Sequence, residues 1–459
     1  MEFKIGNIAE VNIEKNIFGG EGMGHIDDMV IFVPESLAGD FVKVEIISVK
    51  KGYCRGIIKD ILTPSVHRIN PICKMFDKCG GCDFMMADYN SQLLLKRSMV
   101  KEVIERVGKI PETSYTLHDA EGAESIQDSL YYRNKVIQPF AQQKGKIISG
   151  FYKKRTHDVV DNEECLIQSE LSNKIIKKMK EIVEKESITV YDEKKHQGYL
   201  RNVMVRVNKK NEAMVVFICN GKTNDKIKRV SESLVKFFRE IKSVYLSINT
   251  KRTNVVLGSE NQLIFGEKFI VEELFGLKFN ISPLSFFQVN LKQTERLYSL
   301  AIGLISDINN KVILDAYSGT GTIGMLAAKK AKFVYCVEEN SYASRDGVKS
   351  AKINGITNIE FINMKMEEAI YNFESKEIKI DTIIFDPPRS GISENILNEC
   401  SNWGIKEIIY ISCNASTFAR DMFILKERGF RLAEVYPVDM FPHTNHIEIA
   451  AKIVREENR

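Results

Sequence analysis

From about residue 290 to its C-terminus the chain alternates between two periodicities, and this limits its fold more than any other feature. LKQTERLYSLAIGLI has helical spacing, KVILDAYSG is an apolar run ending in a loop, and TIGMLAAKKA is helical again. FVYCVEEN, DTIIFDPPR and EIIYISCN are apolar runs that each end in a polar loop. Strands separated by helices pair in parallel. The expected fold class is therefore α/β, a doubly wound, Rossmann-like sheet that binds ligands at the carboxyl ends of its strands.

The first strand-to-helix turn reads DAYSGTGTIG, residues 315–324, where Gly319, Gly321 and Gly324 satisfy G-x-G-x-x-G, and Glu338 ends the next strand. Glycines here let a ligand approach the backbone, and an acidic residue one strand further on accepts ribose hydroxyls. Dinucleotides and S-adenosylmethionine both fit this pattern. Asp315 at the strand end favours the second, because a carboxylate can face an ammonium group but repels a pyrophosphate.

Two further strand ends carry chemistry. DPPR, residues 386–389, holds Asp386 on a rigid tip, because consecutive prolines fix φ. Similar acidic-Pro-Pro loops occur in methyltransferases that act on amines. In IIYISCNAST, Cys413 lies at the end of a strand just before a helix, with Ser416 or Thr417 as the expected cap. A helix N-terminus stabilises a thiolate, so a lowered thiol pKa and a nucleophilic role are expected. Near the C-terminus, DMFPHTNHIE contains His443, His446 and Glu448. The histidines read as an exposed turn, and Glu448, opening the last strand, reads as a general base.

The first 290 residues differ in texture. Residues 1–61 read as short strands broken by glycines and suggest an OB-type barrel of about five strands. A helix is expected over 90–109, strands with basic tips over 130–160, and an amphipathic helix over 166–186. Further strands are expected in RNVMVRVN, AMVVFICN, SVYLSIN, TNVVLGSE and LIFGEKFIVEELFG. The chain has 459 residues and a net charge of +4, and its first 60 residues are acidic, so any grip on nucleic acid must come from local patches. It contains no apolar run long enough to span a membrane and no secretory signal pattern, so a soluble, cytoplasmic protein with reduced or metal-bound cysteines is expected.

Three of its nine cysteines, Cys73, Cys79 and Cys82, form C-x5-C-x2-C, and Cys165 is the expected fourth partner. A four-cysteine set can hold zinc, but zinc favours paired C-x-x-C units, and this spacing is lopsided. Cys54, Cys219, Cys336 and Cys400 read as packing residues.

PLSFFQVN, LDAYSGTGTIG, DPPRSG, YISCNAST and DMFPHTNHIE together resemble the RNA uracil-5 methyltransferases of the RumA/TrmA type, and the likeness extends over the whole chain. The resemblance implies three parts: a TRAM barrel over 1–61, a central α+β iron–sulfur domain over 62–280, and a methyltransferase domain over 281–459. It implies that the 90–109 helix packs on the last of these. It also implies that Cys413 adds to C6 of uracil, that Glu448 is the base, and that Gln288, Tyr317, Glu338, Asp386, Gly319 and Gly321 contact S-adenosylmethionine. Where some relatives place a cofactor-contacting Asn, this chain has Lys365. The four cysteines then hold a [4Fe–4S] cluster. RNA contacts are expected from Arg133, Lys135 and Phe286, with Tyr152, Lys153, Lys154 and Arg155 nearby. The barrel and cluster favour 23S ribosomal RNA over transfer RNA, acted on by a monomer. A cytosine-5 enzyme would carry a cysteine in the acidic loop, and DPPRSG has none. An NAD enzyme would need neither Cys413 nor Glu448, and an RNA-binding protein without activity would be indifferent to loss of Cys413.

Overall fold

The computed structural model describes residues 4–253 and 255–456. The N-terminal unit is a six-stranded sheet running from Ile8–Asn12 to Tyr53–Thr63. One strand more than expected is present, because the two-residue segment Lys15–Asn16 pairs with Gly22–Ile26. Alternate residues of the long strand Phe41–Lys50, namely Val42, Val44 and Ile46, fill the interior with Val11, Ile31 and Val33. The expected barrel strand KIGNIAEVNI forms at Ile8–Asn12, and residues 1–3 lie outside the described set.

The middle of the chain forms a seven-stranded sheet, covered by helices Glu170–Lys185 and Asp225–Phe237. The first helix has the expected buried stripe of Ile175, Ile176, Met179, Ile182 and Val183. The second was not expected, because DKIKRVSESLVKF offers only Ile227, Val230 and Leu234 as a narrow apolar seam among charges. TNVVLGSE is not a strand where it is described. Asn249 Nδ2 donates to the carbonyls of Val255 and Val256 at 2.7 and 2.8 Å, which turns the chain around that side chain. Pairing begins only at Glu260, and Asn254 lies outside the described residues. LIFGEKFIVEELFG divides at Gly266, whose φ of 76° ends one strand before Ile270–Leu274 begins a hairpin with Leu277–Ile281.

The C-terminal sheet has eight strands. Ile359–Ile362, Phe333–Val337, Val312–Ala316, Thr382–Phe385 and Glu407–Ser412 run parallel in that order. Glu448–Arg455 then inserts antiparallel between Glu407–Ser412 and Phe430–Val438, and Thr116–Leu117 closes the edge. The core beneath it takes residues from far upstream. Helix Tyr89–Arg106 packs on helix Ala415–Glu427, and Val100, Val103 and Ile104 share a cluster with Phe418 and Met422. Among the described residues no helix is long and apolar enough to cross a membrane.

One polar contact ties these parts together. Lys96 Nζ donates to Asp439 Oδ1 at 2.5 Å with both side chains fully buried, and Tyr89 donates to Asp439 Oδ2 at 2.9 Å. Removing one partner of a buried pair leaves the other charge without compensation. Lys96→Met is therefore expected to destabilise the protein by about 3–5 kcal/mol, read as a fall in the midpoint of urea unfolding. Adding Asp439→Leu should recover most of that loss.

Candidate active site and its cavities

The parallel strands all end on one side of the sheet, so their loops converge. The register pairs Phe385 with Tyr410 and Ser412 with Ile449, which places Asp386, Cys413 and Glu448 at three adjoining strand ends. A cavity of about 470 Å³ is lined by these three residues together with Gln288, Tyr317 and Gly319. Glu338 and Gly321 lie just outside it. Glu338 lines an adjoining cavity of about 1040 Å³ with Lys365 and Met364, reached past Tyr317 and Asp386, while Gly321 caps helix Thr322–Ala328.

The turn over 315–324 is built for close approach. Gly321 is left-handed at φ 72°, and a Cβ there would meet the Phe361 ring at 2.4 Å. Tyr317 is also left-handed at φ 63°, an uncommon conformation for a bulky residue. Asp315 is fully buried, and its Oδ2 accepts from the Gly324 amide at 2.8 Å. Its Oδ1 has no partner, so the floor of the cavity presents an unsatisfied acceptor to a ligand. Glu338 accepts from the amides of Gly319 and Asn340 at 2.9 and 2.7 Å, which aims it across the turn. A cationic amino-acid ligand with a nucleoside tail, as in S-adenosylmethionine, fits this donor and acceptor set.

The helix after Cys413 begins at Ala415 and is capped by Asn414, whose side chain accepts from the Ser416 amide at 3.0 Å, and not by Ser416 or Thr417. Asn414 also donates to the Arg389 carbonyl at 3.2 Å, which joins the two loops. The Cys413 thiol is not lowered as expected. Burial, then Glu448 and Asp386, push it up to about 11, and Arg389 only partly opposes them. Desolvation and two carboxylates outweigh one helix end. Burial likewise raises Asp386 to about 7, and burial and Asp386 raise Asp315 to about 8. Glu448 is held well above the usual carboxylate range by burial and by Asp386.

His443 is not exposed. It is 1 % accessible, with its ring between Ser129 Oγ at 2.8 Å and Gln92 Nε2 at 3.2 Å. Burial lowers it to about 4, so it acts as a neutral hydrogen-bonding brace. His446 is exposed and lines the cavity. Tyr298 was missed. It is buried at the cavity wall and accepts from Gln288 Nε2 at 3.3 Å, but in LKQTERLYSLAIG it looks like any core position of an amphipathic helix.

A second cavity, about 540 Å³, shares Phe286, Gln288, Arg389, Phe441 and His446 with the first. All four expected cysteines, Cys73, Cys79, Cys82 and Cys165, line it, as do Arg133 and Lys135. Among the described residues no three His, Cys, Asp or Glu side chains close on a single metal ion. Four thiols on the wall of one cavity form a donor set of the kind that takes zinc or an iron–sulfur cluster. Phe286 is 71 % exposed at the rim. The basic stretch after Tyr152 is less available, because Lys154 pairs with Glu35 and Arg155 with Glu21 of the barrel.

The fold and the cavity define a nucleotide-binding methyltransferase domain joined to a β-barrel, and comparison with known proteins narrows this. Residues 89–456 match the family described as tRNA (Uracil-5-)-methyltransferase, and residues 2–59 match the TRAM domain. An uncharacterized RNA methyltransferase of Fusobacterium nucleatum is 48% identical over 99% of this chain and 97% of its own length. One from Caldanaerobacter subterraneus is 42% identical over 98% and 99%. The crystal structure of Pyrococcus abyssi tRNA (uracil-54, C5)-methyltransferase with S-adenosyl-L-homocysteine superposes with a TM-score of 0.76 at 28% identity, covering 97% of this chain and 99% of that one. The chain belongs to the uracil-5 methyltransferase family, whose members use S-adenosylmethionine to methylate RNA.

Asp386 is ionised above pH 7 and its charge disfavours the Cys413 thiolate. At pH 9, Asp386→Asn is expected to speed alkylation of Cys413 by iodoacetamide severalfold, followed by mass spectrometry of the Cys413 peptide. An unchanged or slower rate would rule out this electrostatic coupling.

Proposed function

We propose that this protein methylates C5 of a uridine in 23S ribosomal RNA through a covalent adduct on Cys413. The observation that supports this best is the meeting of Cys413, Glu448 and Asp386 at adjoining strand ends in one cavity. Asp315, Gly319, Gly321, Tyr317, Gln288 and Glu338 hold the cofactor. Bound there, S-adenosylmethionine supplies the methyl group and a sulfonium charge. Beside a cation, Asp386 and Glu448 ionise more readily, which offsets their raised pKa values.

C5 of uracil is a poor nucleophile. Cys413 Sγ forms a bond to C6, and the C5–C6 π pair moves toward C5 and O4 as an enolate. The thiol proton passes to Asp386, which leaves Glu448 ionised for the later step. Once the enolate pair at C5 has taken the methyl group, with S-adenosylhomocysteine as the leaving group, Glu448 removes the C5 proton, the electron pair re-forms the C5–C6 double bond, and the C6–S bond breaks. A carboxyl with a raised pKa suits this step, because it holds the proton it takes.

Arg133, Lys135 and Phe286 face the extruded nucleotide, which must leave its stack to reach a cavity of this depth. Cys73, Cys79, Cys82 and Cys165 hold a [4Fe–4S] cluster, and nothing in the methylation calls for its electrons. The four-thiol cavity and the barrel support ribosomal RNA as substrate. Transfer RNA is the second reading, favoured by the transfer-RNA substrate of the Pyrococcus enzyme.

Cys413→Ala is expected to lower turnover by on the order of 10⁴-fold or more with RNA binding retained. Glu448→Gln should accumulate a protein–RNA adduct stable to denaturant, because the C5 proton stays in place. Purified protein with S-adenosylmethionine, incubated with 23S ribosomal RNA and with transfer RNA from cells lacking the gene, decides the substrate by mass spectrometry of 5-methyluridine. Signal in transfer RNA alone would overturn the ribosomal assignment. Anaerobically prepared protein should carry about four irons per chain, lost in Cys79→Ser.

A further inference from the structure

The cavity between the four thiols and Cys413 contains more positive charge than the chemistry above requires. Lys135 and Arg206 are direct partners in the register of strands Lys135–Gln143 and Leu200–Val207. Facing residues of antiparallel strands project to the same side, where like charges repel. Arg206 is 4% exposed. Its Nη2 donates to the Ser285 carbonyl at 2.9 Å, but its Nε and Nη1 are buried without a partner. Idle donors on a buried guanidinium are costly. Among the described residues the carboxylate acting on it is Glu272, whose Oε1 accepts from the amides of Lys209 and Glu273.

Lys135, Arg133 and Arg389 all line the cavity. None of these four cations has an ion-pair partner among the described residues, in contrast to Lys154 and Arg155 on the neighbouring rim. Burial, then Arg206 and Arg133, pull the Lys135 amine down to about 8, so the charges are close enough to oppose one another. An arrangement of this kind is stabilised when an anion enters. The Ser285 carbonyl held by Arg206 belongs to the loop that carries exposed Phe286 and Gln288. The anion seat is thus tied to the loop that borders both cavities.

We propose that Lys135, backed by buried Arg206 and flanked by Arg133 and Arg389, seats a backbone phosphate of RNA beside the uridine that reaches Cys413, a proposal that rests on the uridine-methylation reading. The other anion within reach is the metal–thiolate site itself. The cations favour the phosphodiester because they line the cavity from the thiols to Arg389, which also lines the cavity of Cys413 and Glu448. A charged track running toward the nucleophile matches a strand threading to it.

The test uses the full-length, iron-loaded protein with S-adenosylhomocysteine and a fluorescent single-stranded RNA of about 12 nucleotides with one central uridine, within the range such grooves accommodate. Affinity is measured by anisotropy from about 50 to 200 mM KCl. Loss of one phosphate contact should reduce the slope of log K against log salt by about 0.7. Lys135→Met and Arg206→Met should each show that reduction, with S-adenosylhomocysteine binding and iron content unchanged, and Lys135→Arg should restore it. In wild type, a neutral methylphosphonate linkage next to the uridine should weaken binding severalfold, and the same linkage should add no further loss in Lys135→Met. Unchanged slopes in folded variants, or a wild type indifferent to the neutral linkage, would overturn the proposal. A loss of iron with an unchanged slope would assign the cations to the thiol site instead. Because no turnover is scored, a failure to form 5-methyluridine in the substrate assay leaves this result readable on its own.

Discussion

The buried contact between Lys96 and Asp439 is the constraint on which the site's geometry depends. A carboxylate and an amine with no access to water tolerate each other only in a narrow arrangement. Asp439 opens the loop between the antiparallel strands Phe430–Val438 and Glu448–Arg455, so holding it sets where Glu448 emerges. Lys96 also donates to the Phe441 carbonyl at 3.1 Å, which fixes a residue that lines both cavities. Four residues beyond Asp439, the His443 carbonyl accepts from the amides of Asp83 and Phe84, each at 2.9 Å, next to Cys82. Asn445 donates its backbone amide to Asp83 Oδ2 at 3.0 Å and its side-chain amide to the Gly19 carbonyl of the barrel at 2.8 Å. One loop therefore touches the cysteine segment, the barrel and the upstream helix, and leads into Glu448.

Within that frame the cavity is tuned by opposing charges more than by any single group. Asp315, Asp386 and Glu448 are crowded at the strand ends, and each raises or is raised by another. Such a cluster has a poor affinity for its own protons' departure until a cation arrives, so ligand binding and ionisation are linked. Burial, then Glu448 and Asp386, keep Cys413 protonated in the free protein. A thiol protected in this way is less exposed to indiscriminate alkylation and oxidation than one on an open helix end.

Much of the architecture was legible because it is written locally. The α/β alternation, the turn at 315–324, the DPPR tip and the strand ends at Cys413 and Glu448 each follow from neighbouring residues whose periodicity and backbone limits need no distant partner. The errors share a cause as well. TNVVLGSE has strand-like composition, but the side chain of Asn249 captures its carbonyls. DKIKRVSESLVKF looks solvated, but the sheet beneath it needs a cover and its three apolar residues suffice. The exposed turn expected at His443 is buried because helix Tyr89–Arg106 and the cysteine segment close over it.

By itself, then, the sequence determined the parallel sheet, the barrel, the ligand-facing turn and the candidate nucleophile and base, since backbone preferences and side-chain chemistry act over a few residues. Only the tertiary structure decided what those groups experience. It paired Lys96 with Asp439 across 343 residues, gathered Cys165 with Cys73, Cys79 and Cys82 around one cavity, and set Arg206 behind Lys135. It also reversed the sign of the Cys413 shift. Desolvation and Coulomb terms sum over every neighbour in space, and those neighbours come from parts of the chain that no local pattern relates.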